Sequence, residues 1–458
     1  MEEFAGFYLD ELIQRSLVQV TRIDERNRVK ECRLHDLIRE FIITKARNQN
    51  LATIITEKQE ESQFLSSNDS TRRKPPRLLS ISFIGGDQDN GSKILSENNT
   101  SCFHICSLFL FLANESWISR SSSTTLFTSF RLLRVLDIGY ADLEEFPSQV
   151  VNLLYLRYLS LRSNYRISSV PDSVGKLIHL ETLNLKNTII KELPTGILKL
   201  RQLRNLFAFS LSGDNGGVKL PLRISSLTSL EKLEWIDADE EGSGILVKEL
   251  GMLTQLRRLS ICNLREDSMQ LFASVQKMKY LRSFKVWSKS NKLLHSSNLS
   301  SPSPSLKCLH MDGAFGNIPG WIPSLQNLEE LQLCYSGFKS DLIEVLQVLP
   351  NLVILGLLNG SFAGEELSFA KGGFPRLKTL TLVGLMKLNK VEVEEGSLPV
   401  IRAIRFTHCE KLKLLLGLES LTTLDEIISG NMWIGWSSIV GNQGTFHRFK
   451  SFRIIELL

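Results

Sequence analysis

The chain has little of what usually betrays chemistry. No Gly-x-x-x-x-Gly-Lys-Ser/Thr stretch, the backbone cradle and lysine that hold a triphosphate, occurs in its 458 residues. Gly175-Lys176 runs into Leu177 and has no glycine placed to form that loop. The seven cysteines (Cys32, Cys102, Cys106, Cys262, Cys308, Cys334, Cys409) are scattered and odd in number. Only Cys102 and Cys106 lie close together, and no second pair or histidine set completes zinc spacing, so no metal site and no catalytic constellation is expected. Scattered thiols suit a reducing compartment. The most apolar run, Phe103 to Ala113, is about half of the roughly 20 residues a membrane helix needs. The opening Met-Glu-Glu-Phe has neither the basic start nor the apolar core of a secretory signal. A cytoplasmic protein with no transmembrane segment is the expectation. An excess of one charge is missing as well: 54 basic residues face 49 acidic ones, for a net +5. A nucleic-acid binder needs a clustered basic excess, so no nucleic-acid partner is expected.

What is present is a repeat. The pattern apolar-x-x-apolar-x-apolar recurs as Leu133/Leu136/Ile138, Leu156/Leu159/Leu161, Leu180/Leu183/Leu185 and Leu203/Leu206/Ala208. It continues as Leu230/Leu233/Trp235, Leu256/Leu259/Ile261, Leu281/Phe284/Val286, Leu306/Leu309/Met311 and Leu328/Leu331/Leu333. Leu352/Leu355/Leu357, Leu377/Leu380/Leu382 and Ile401/Ile404/Phe406 complete the clear copies. Weaker ones sit at Leu78/Ile81/Phe83, Ile105/Leu108/Leu110 and Leu424/Ile427. Their spacing falls within the roughly 20–29 residues of a leucine-rich repeat. One such strand cannot bury its leucines alone, and stacking neighbours in parallel gives a continuous core and one long sheet. About fifteen strands at about 4.8 Å each would span roughly 65–70 Å. Phe146-Pro147, Val170-Pro171, Leu193-Pro194 and Leu220-Pro221 follow their strands where the chain must turn to the opposite side. Asn164, Thr188 and Cys409 occupy the buried polar position expected to bond the turn backbone.

The expected fold is thus α/β, a leucine-rich-repeat solenoid (horseshoe) over residues 78–430. A small N-terminal domain over 1–50, a linker over 51–77 and an atypical tail over 431–458 complete the division. The ladder of leucines is core, so binding belongs to the positions between them. Arg157, Tyr158, Arg162, Lys186, Arg204, Arg257, Arg258, Arg282, Lys285 and Arg405 are the candidate protein-binding residues there. Cations predominate over acidic interruptions, which fits either a solvated charged face or an acidic protein partner.

Residues 1–50 do not repeat. Phe7 to Val18 has helical apolar spacing, and Asp24-Glu25-Arg26-Asn27 reads as a turn between two extended runs. Leu34, Leu37, Ile38, Phe41 and Ile42 then share one helix face, with Asp36 placed to cap its first turn. Helix, hairpin, helix is a winged-helix fragment. Residues 1–75 of the chain carry 13 basic and 13 acidic side chains, a poor balance for reading DNA.

Tyr8-Leu9-Asp10-Glu11-Leu12-Ile13-Gln14-Arg15-Ser16-Leu17-Val18-Gln19-Val20 with Cys32-Arg33-Leu34-His35-Asp36-Leu37-Ile38-Arg39-Glu40 resembles one family. It is similar to the winged-helix end of plant nucleotide-binding leucine-rich-repeat disease resistance receptors of the coiled-coil class. Leu34-His35-Asp36 matches that family's Met-His-Asp motif with Leu for Met, and the match runs over about residues 4–430. The resemblance implies that His35 faces nucleotide phosphates and that Asp36 supports the closed resting state. An imidazole at a helix start can donate to a phosphate oxygen. The family's full-length members use ADP and ATP, but with the phosphate loop and metal-binding strand absent no cofactor is expected in this chain. The implied function is non-enzymatic. It is recognition of a pathogen effector or guarded host protein, and autoinhibition through the nucleotide-binding and coiled-coil domains of the same receptor class. An ATP/ADP-binding switch, if a nucleotide-binding domain accompanies the chain, is one alternative. The other is an extracellular leucine-rich-repeat receptor, suggested by the sequons at Asn99, Asn114, Asn298 and Asn359.

Overall fold

The computed structural model describes residues 2–56, 77–83, 104–112, 127, 130–210, 216–238, 243–265, 270–288, 303–315, 317–339, 341–430 and 451–455. Cys102, the sequons at Asn99, Asn114 and Asn298, most of the 51–77 segment, and Trp433, Trp436, Phe446 and Phe449 lie outside the described residues. The chain divides into two compact units, Met1–Asp237 and Ala238–Leu458.

The first unit begins with α1 (Glu2–Gln14), β1 (Val18–Ile23), β2 (Val29–Leu34) and α2 (Asp36–Asn48). The two strands pair antiparallel, Val18 opposite Leu34 and Ile23 opposite Val29. Their turn is built by Asp24, whose carboxylate accepts from the Arg26 and Arg28 backbone N–H groups at 3.0 and 2.8 Å. Asn27 supplies the left-handed residue at φ 59°. Helix α2 is capped by His35 rather than Asp36: the Leu37 N–H donates to His35 Nδ1 at 3.3 Å. Asp36 is already helical, where its charge suits the positive end of the helix dipole.

A parallel sheet follows, with each strand pairing to the next in sequence. Its members are β3 (Ala52–Thr56), β4 (Leu78–Phe83), β5 (Ser107–Leu112) and β6 (Val135–Asp137). Then come β7 (Tyr158–Ser160), β8 (Thr182–Asn184), β9 (Asn205–Phe207) and β10 (Lys232–Asp237). The sheet therefore starts at Ala52, inside the segment expected as a linker. Leu79, Leu108, Leu136, Leu159, Leu183, Leu206 and Leu233 form one register row, at most 1% exposed. This row corrects the copy read as Leu78/Ile81/Phe83, because Leu79 and Ile81 align with Leu108 and Leu110. It is shifted by two, which a period-2 strand permits without exposing the leucines.

Between strands the chain turns by the expected devices. Pro147, Pro171 and Pro194 each precede a 3-10 helix: Ser148–Asn152, Asp172–Lys176 and Thr195–Lys199. Asn164, fully buried, takes the N–H groups of Ala141 and Leu143 at 3.1 and 3.0 Å. Its amide donates to the carbonyls of Ile138 and Leu161 at 2.9 and 2.7 Å, so one side chain satisfies four backbone groups. The Thr188 hydroxyl donates to the Leu185 carbonyl at 2.9 Å, and the Cys409 thiol contacts the Leu382 and Thr407 carbonyls at 3.6 Å.

The second unit contains α3 (Ser243–Gly251), β11 (Arg258–Leu264), α4 (Gln270–Gln276), β12 (Ser283–Ser288), β13 (Cys308–Asp312) and β14 (Glu330–Cys334). It continues with α5 (Leu342–Leu346), β15 (Ile354–Leu358), β16 (Glu366–Phe369), β17 (Thr379–Val383), β18 (Lys390–Val393) and β19 (Ala403–Thr407). It ends with β20 (Leu414–Leu416), β21 (Glu426–Gly430) and β22 (Ser451–Ile455). Two parallel ladders result. The main one runs β11 to β15, then β17, β19, β21 and β22. The other stacks β16, β18 and β20. The second ladder was not expected. Its signal was the alternation of Leu367/Phe369 and Val391/Val393 at the repeat spacing, with one face buried. Within the tail, β22 continues the sheet with Phe452 opposite Ile427. Among the described residues no helix is long and apolar enough to cross a membrane.

Candidate protein-binding surface

Strand alternation places the leucines inward and leaves the intervening side chains on the open face of each sheet. In the first unit one outward row is Val135, Tyr158, Thr182, Asn205 and Lys232, and the next is Asp137, Ser160, Asn184, Phe207 and Glu234. Arg157 and Arg204 lie one residue before their strands, and Arg162 and Lys186 lie two residues after theirs. Most of these candidates are tied to neighbours. Arg157 reaches Glu181 at 3.0 Å, Arg204 reaches Glu231 at 3.4 Å, and Lys186 reaches Glu234 at 2.8 Å. The Arg162 guanidinium stacks over the Tyr140 ring at 5.5 Å, in the space that a side chain at Gly139 would fill. Tyr158 is half-buried, and burial together with the Asp137 charge raises its phenol above the usual range. This face is a fitted surface whose candidate cations, other than Arg162, are locally neutralised.

Trp235 does not belong to the core row, as the copy Leu230/Leu233/Trp235 had it. Ile236 is fully buried instead, while Trp235 sits at φ 67° and packs edge-on against Phe209 at 4.6 Å. One extra residue bulges the strand and re-aims the indole.

The second unit brings together Arg257, Arg258, Arg282 and Lys285. Arg258 stands opposite Ser283, and Lys285 lies between Ser260 and His310 in register. The Arg282 N–H donates to the Arg257 carbonyl at 2.8 Å, which sets these two side by side. Arg258, Arg282 and Lys285 have no carboxylate partner among the described residues, in contrast to Lys307, which holds Glu329 at 2.5 Å. Arg405 lies four strands beyond His310 and contacts Glu426 at 3.7 Å, so it is not part of this group.

Sequence reasoning missed the aromatic part of the surface. Trp287 and His310 face outward on β12 and β13 with ring centroids 4.8 Å apart. Burial, and then the neighbouring Lys285 charge, push His310 down to about 4, so the imidazole is neutral at ordinary pH. Next to it, burial raises the Asp312 carboxyl, which accepts from the Cys334 thiol; burial and the Asp312 charge push that thiol up to about 12. A thiol held there is no nucleophile. Among the described residues no group of His, Cys, Asp and Glu is placed to hold a metal.

His35 and Asp36 stand apart from this sheet, both exposed at the start of α2. Since Nδ1 of His35 accepts from Leu37, its ring proton sits on Nε2, directed away from the helix and able to donate. Helix α2 has no buried residue, and Leu37 and Phe41 are 76% and 62% exposed.

Parallel strands one repeat apart, a buried leucine row and polar turn ladders define a leucine-rich-repeat protein. The model of the leucine-rich repeat region matches residues 107–434, and that of the disease resistance protein winged helix domain matches residues 1–42. Two relatives from Arabidopsis thaliana, the probable disease resistance protein RF9 and the disease resistance protein RPP8, are each 28% identical to this chain. The matches cover 91% and 95% of this chain, and 38% and 47% of theirs. The leucine-rich-repeat protein LIC12759 of Leptospira interrogans shares the fold at a TM-score of 0.50 and 17% identity, over 87% of this chain and 99% of its own. The chain belongs to the plant leucine-rich-repeat disease resistance proteins. It spans less than half the length of the two relatives described.

Proposed function

We propose that this chain acts in plant defence as the recognition and restraint portion of a disease resistance receptor, in the cytoplasm and without catalysing a reaction. The repeat face binds a pathogen effector or a guarded host protein. The winged-helix fragment docks on the nucleotide-binding half of the receptor class and, with the coiled-coil domain, holds it at rest. The observation that carries this reading is the unfinished surface of the N-terminal fragment: a helix with apolar spacing and no buried residue. Phe7, Leu37 and Phe41 alone expose three large apolar side chains, and such patches mark interaction sites. More than half of each relative's length lies outside its match to this chain and supplies the cover. When ADP or ATP is bound in such an assembly, its phosphates supply the negative charge toward which the exposed His35 Nε2–H can donate.

Co-expression with the nucleotide-binding half of the RPP8 relative tests the docking. The two parts are expected to co-purify, and Leu37→Asp with Phe41→Asp is expected to separate them. Co-purification that survives the double variant would overturn the proposal.

A further inference from the structure

We propose that the open face of β11–β13 binds an acidic peptide segment that carries an aromatic residue. Arg258, Arg282 and Lys285 take the carboxylates over a floor of Ser260 and Ser283, and Trp287 takes the ring. This rests on the repeat surface being a protein-binding one, and it names the chemistry of the partner.

Charge on this face is left uncompensated. Several outward cations on these sheets are matched by carboxylates, Arg157 with Glu181, Lys186 with Glu234, Arg204 with Glu231 and Lys307 with Glu329, while Arg162 lies on the Tyr140 ring. Arg258, Arg282 and Lys285 have no carboxylate partner among the described residues, and they lie together on or beside two adjacent strands. Like charges on neighbouring strands repel. The repulsion is relieved when an anion sits among them.

The shape of the face suits an anion as well. Ser283 is opposite Arg258, and Ser260 is opposite Lys285, so each long cation faces a short hydroxyl-bearing side chain. Ser260 is nearly buried, which makes a shallow polar floor with cationic walls. Further along β12, past Lys285, Trp287 leans on His310 at a 44° tilt. Because His310 is neutral, it positions the indole without adding charge, leaving a shelf for an aromatic ring.

The extent of the cationic field decides the class of partner. The cationic field stops at β13, where Glu329 neutralises Lys307. Three strands at about 4.8 Å each accommodate two or three carboxylates, not the long phosphate track of a nucleic acid.

Fluorescence anisotropy of the full chain with a labelled random copolymer of glutamate and tyrosine tests this, with a lysine–tyrosine copolymer as control. Arg258→Glu with Lys285→Glu is expected to weaken glutamate–tyrosine binding about tenfold or more, and Trp287→Ala about threefold or more. Arg166→Glu, at a paired cation outside the candidate binding residues, is expected to stay within about twofold. Circular dichroism checks folding. If the reversal unfolds the chain, Arg258→Gln with Lys285→Gln takes its place, with a loss of about threefold or more expected. A charge variant that binds like the wild type would overturn the proposal, as would an equal loss from Arg166→Glu. So would tighter binding of single-stranded oligothymidylate through the same residues. The assay uses this chain alone, so its failure leaves the docking through α2 intact, and failure of that docking leaves this site intact.

Discussion

Lys186 Nζ lies 2.8 Å from a carboxylate oxygen of Glu234, and it reaches there across the Phe207 ring, 4.5 Å from the centroid. The pair joins β10 to the end of β8 over the intervening β9, so three repeats share one contact. A cation that its period marks as free for a partner is thereby spent on the sheet itself.

That contact separates inward from outward positions in a measurable way. Leu183→Ala, in the buried row, is expected to cost about 2–5 kcal/mol. Lys186→Ala removes a partly exposed ion pair and a cation–ring contact, and about 1 kcal/mol is expected. Denaturant titration of both variants checks this. Equal losses would mean that the sheet faces are assigned wrongly.

The turns on the opposite side make a sharper case. A Cβ on Gly196 would stand within van der Waals overlap of the Asp172 carbonyl, and the Gly196 N–H donates to the Asp172 carboxylate at 2.6 Å. With the Thr195 hydroxyl, that contact holds the Asp172 carboxyl below its ordinary range. Gly196→Ala must push two repeats apart and is expected to cost about 2–4 kcal/mol. Gly320→Ala, which meets nothing within 4 Å, is expected to change stability by under about 0.5 kcal/mol. Thermal melts of the pair decide it, and a tolerated Gly196→Ala would contradict the close approach.

Acidification should act through His310. Its folded value, about 4, lies below the ordinary 6.5, so between these pH values the unfolded chain binds the extra proton. Stability therefore falls as pH drops from about 6.5 toward about 4, and this contribution levels off below that. Replacing the ring, His310→Gln, is expected to flatten this part of the stability profile. A profile unchanged by the substitution would show that His310 is not the group responsible.

How far the sequence could be read depended on whether the information was periodic. Leu159, Leu183 and Leu206 could be placed because each recurs at the same offset, and burying each requires its neighbours. Asn164 could be assigned because a buried polar residue at a turn has to satisfy backbone groups. The strand β22 could not be read, as no leucine triplet announces it and its pairing is made by backbone. Ile236 was missed for Trp235 because a bulge is a local backbone event with no fixed spacing. Arg157 and Lys186 lie between the leucines where periodicity puts them, yet their neutralisation depends on Glu181 and Glu234, 24 and 48 residues away.

The amino-acid order by itself determined the parallel stack, the inner leucine wall and the family, since these follow from a repeated pattern that only stacking can bury. Which surface cations remain available was decided by tertiary structure alone. Register between strands brings Lys186 to Glu234 while leaving Arg258 and Lys285 facing serine, and no spacing along one strand sets that pairing.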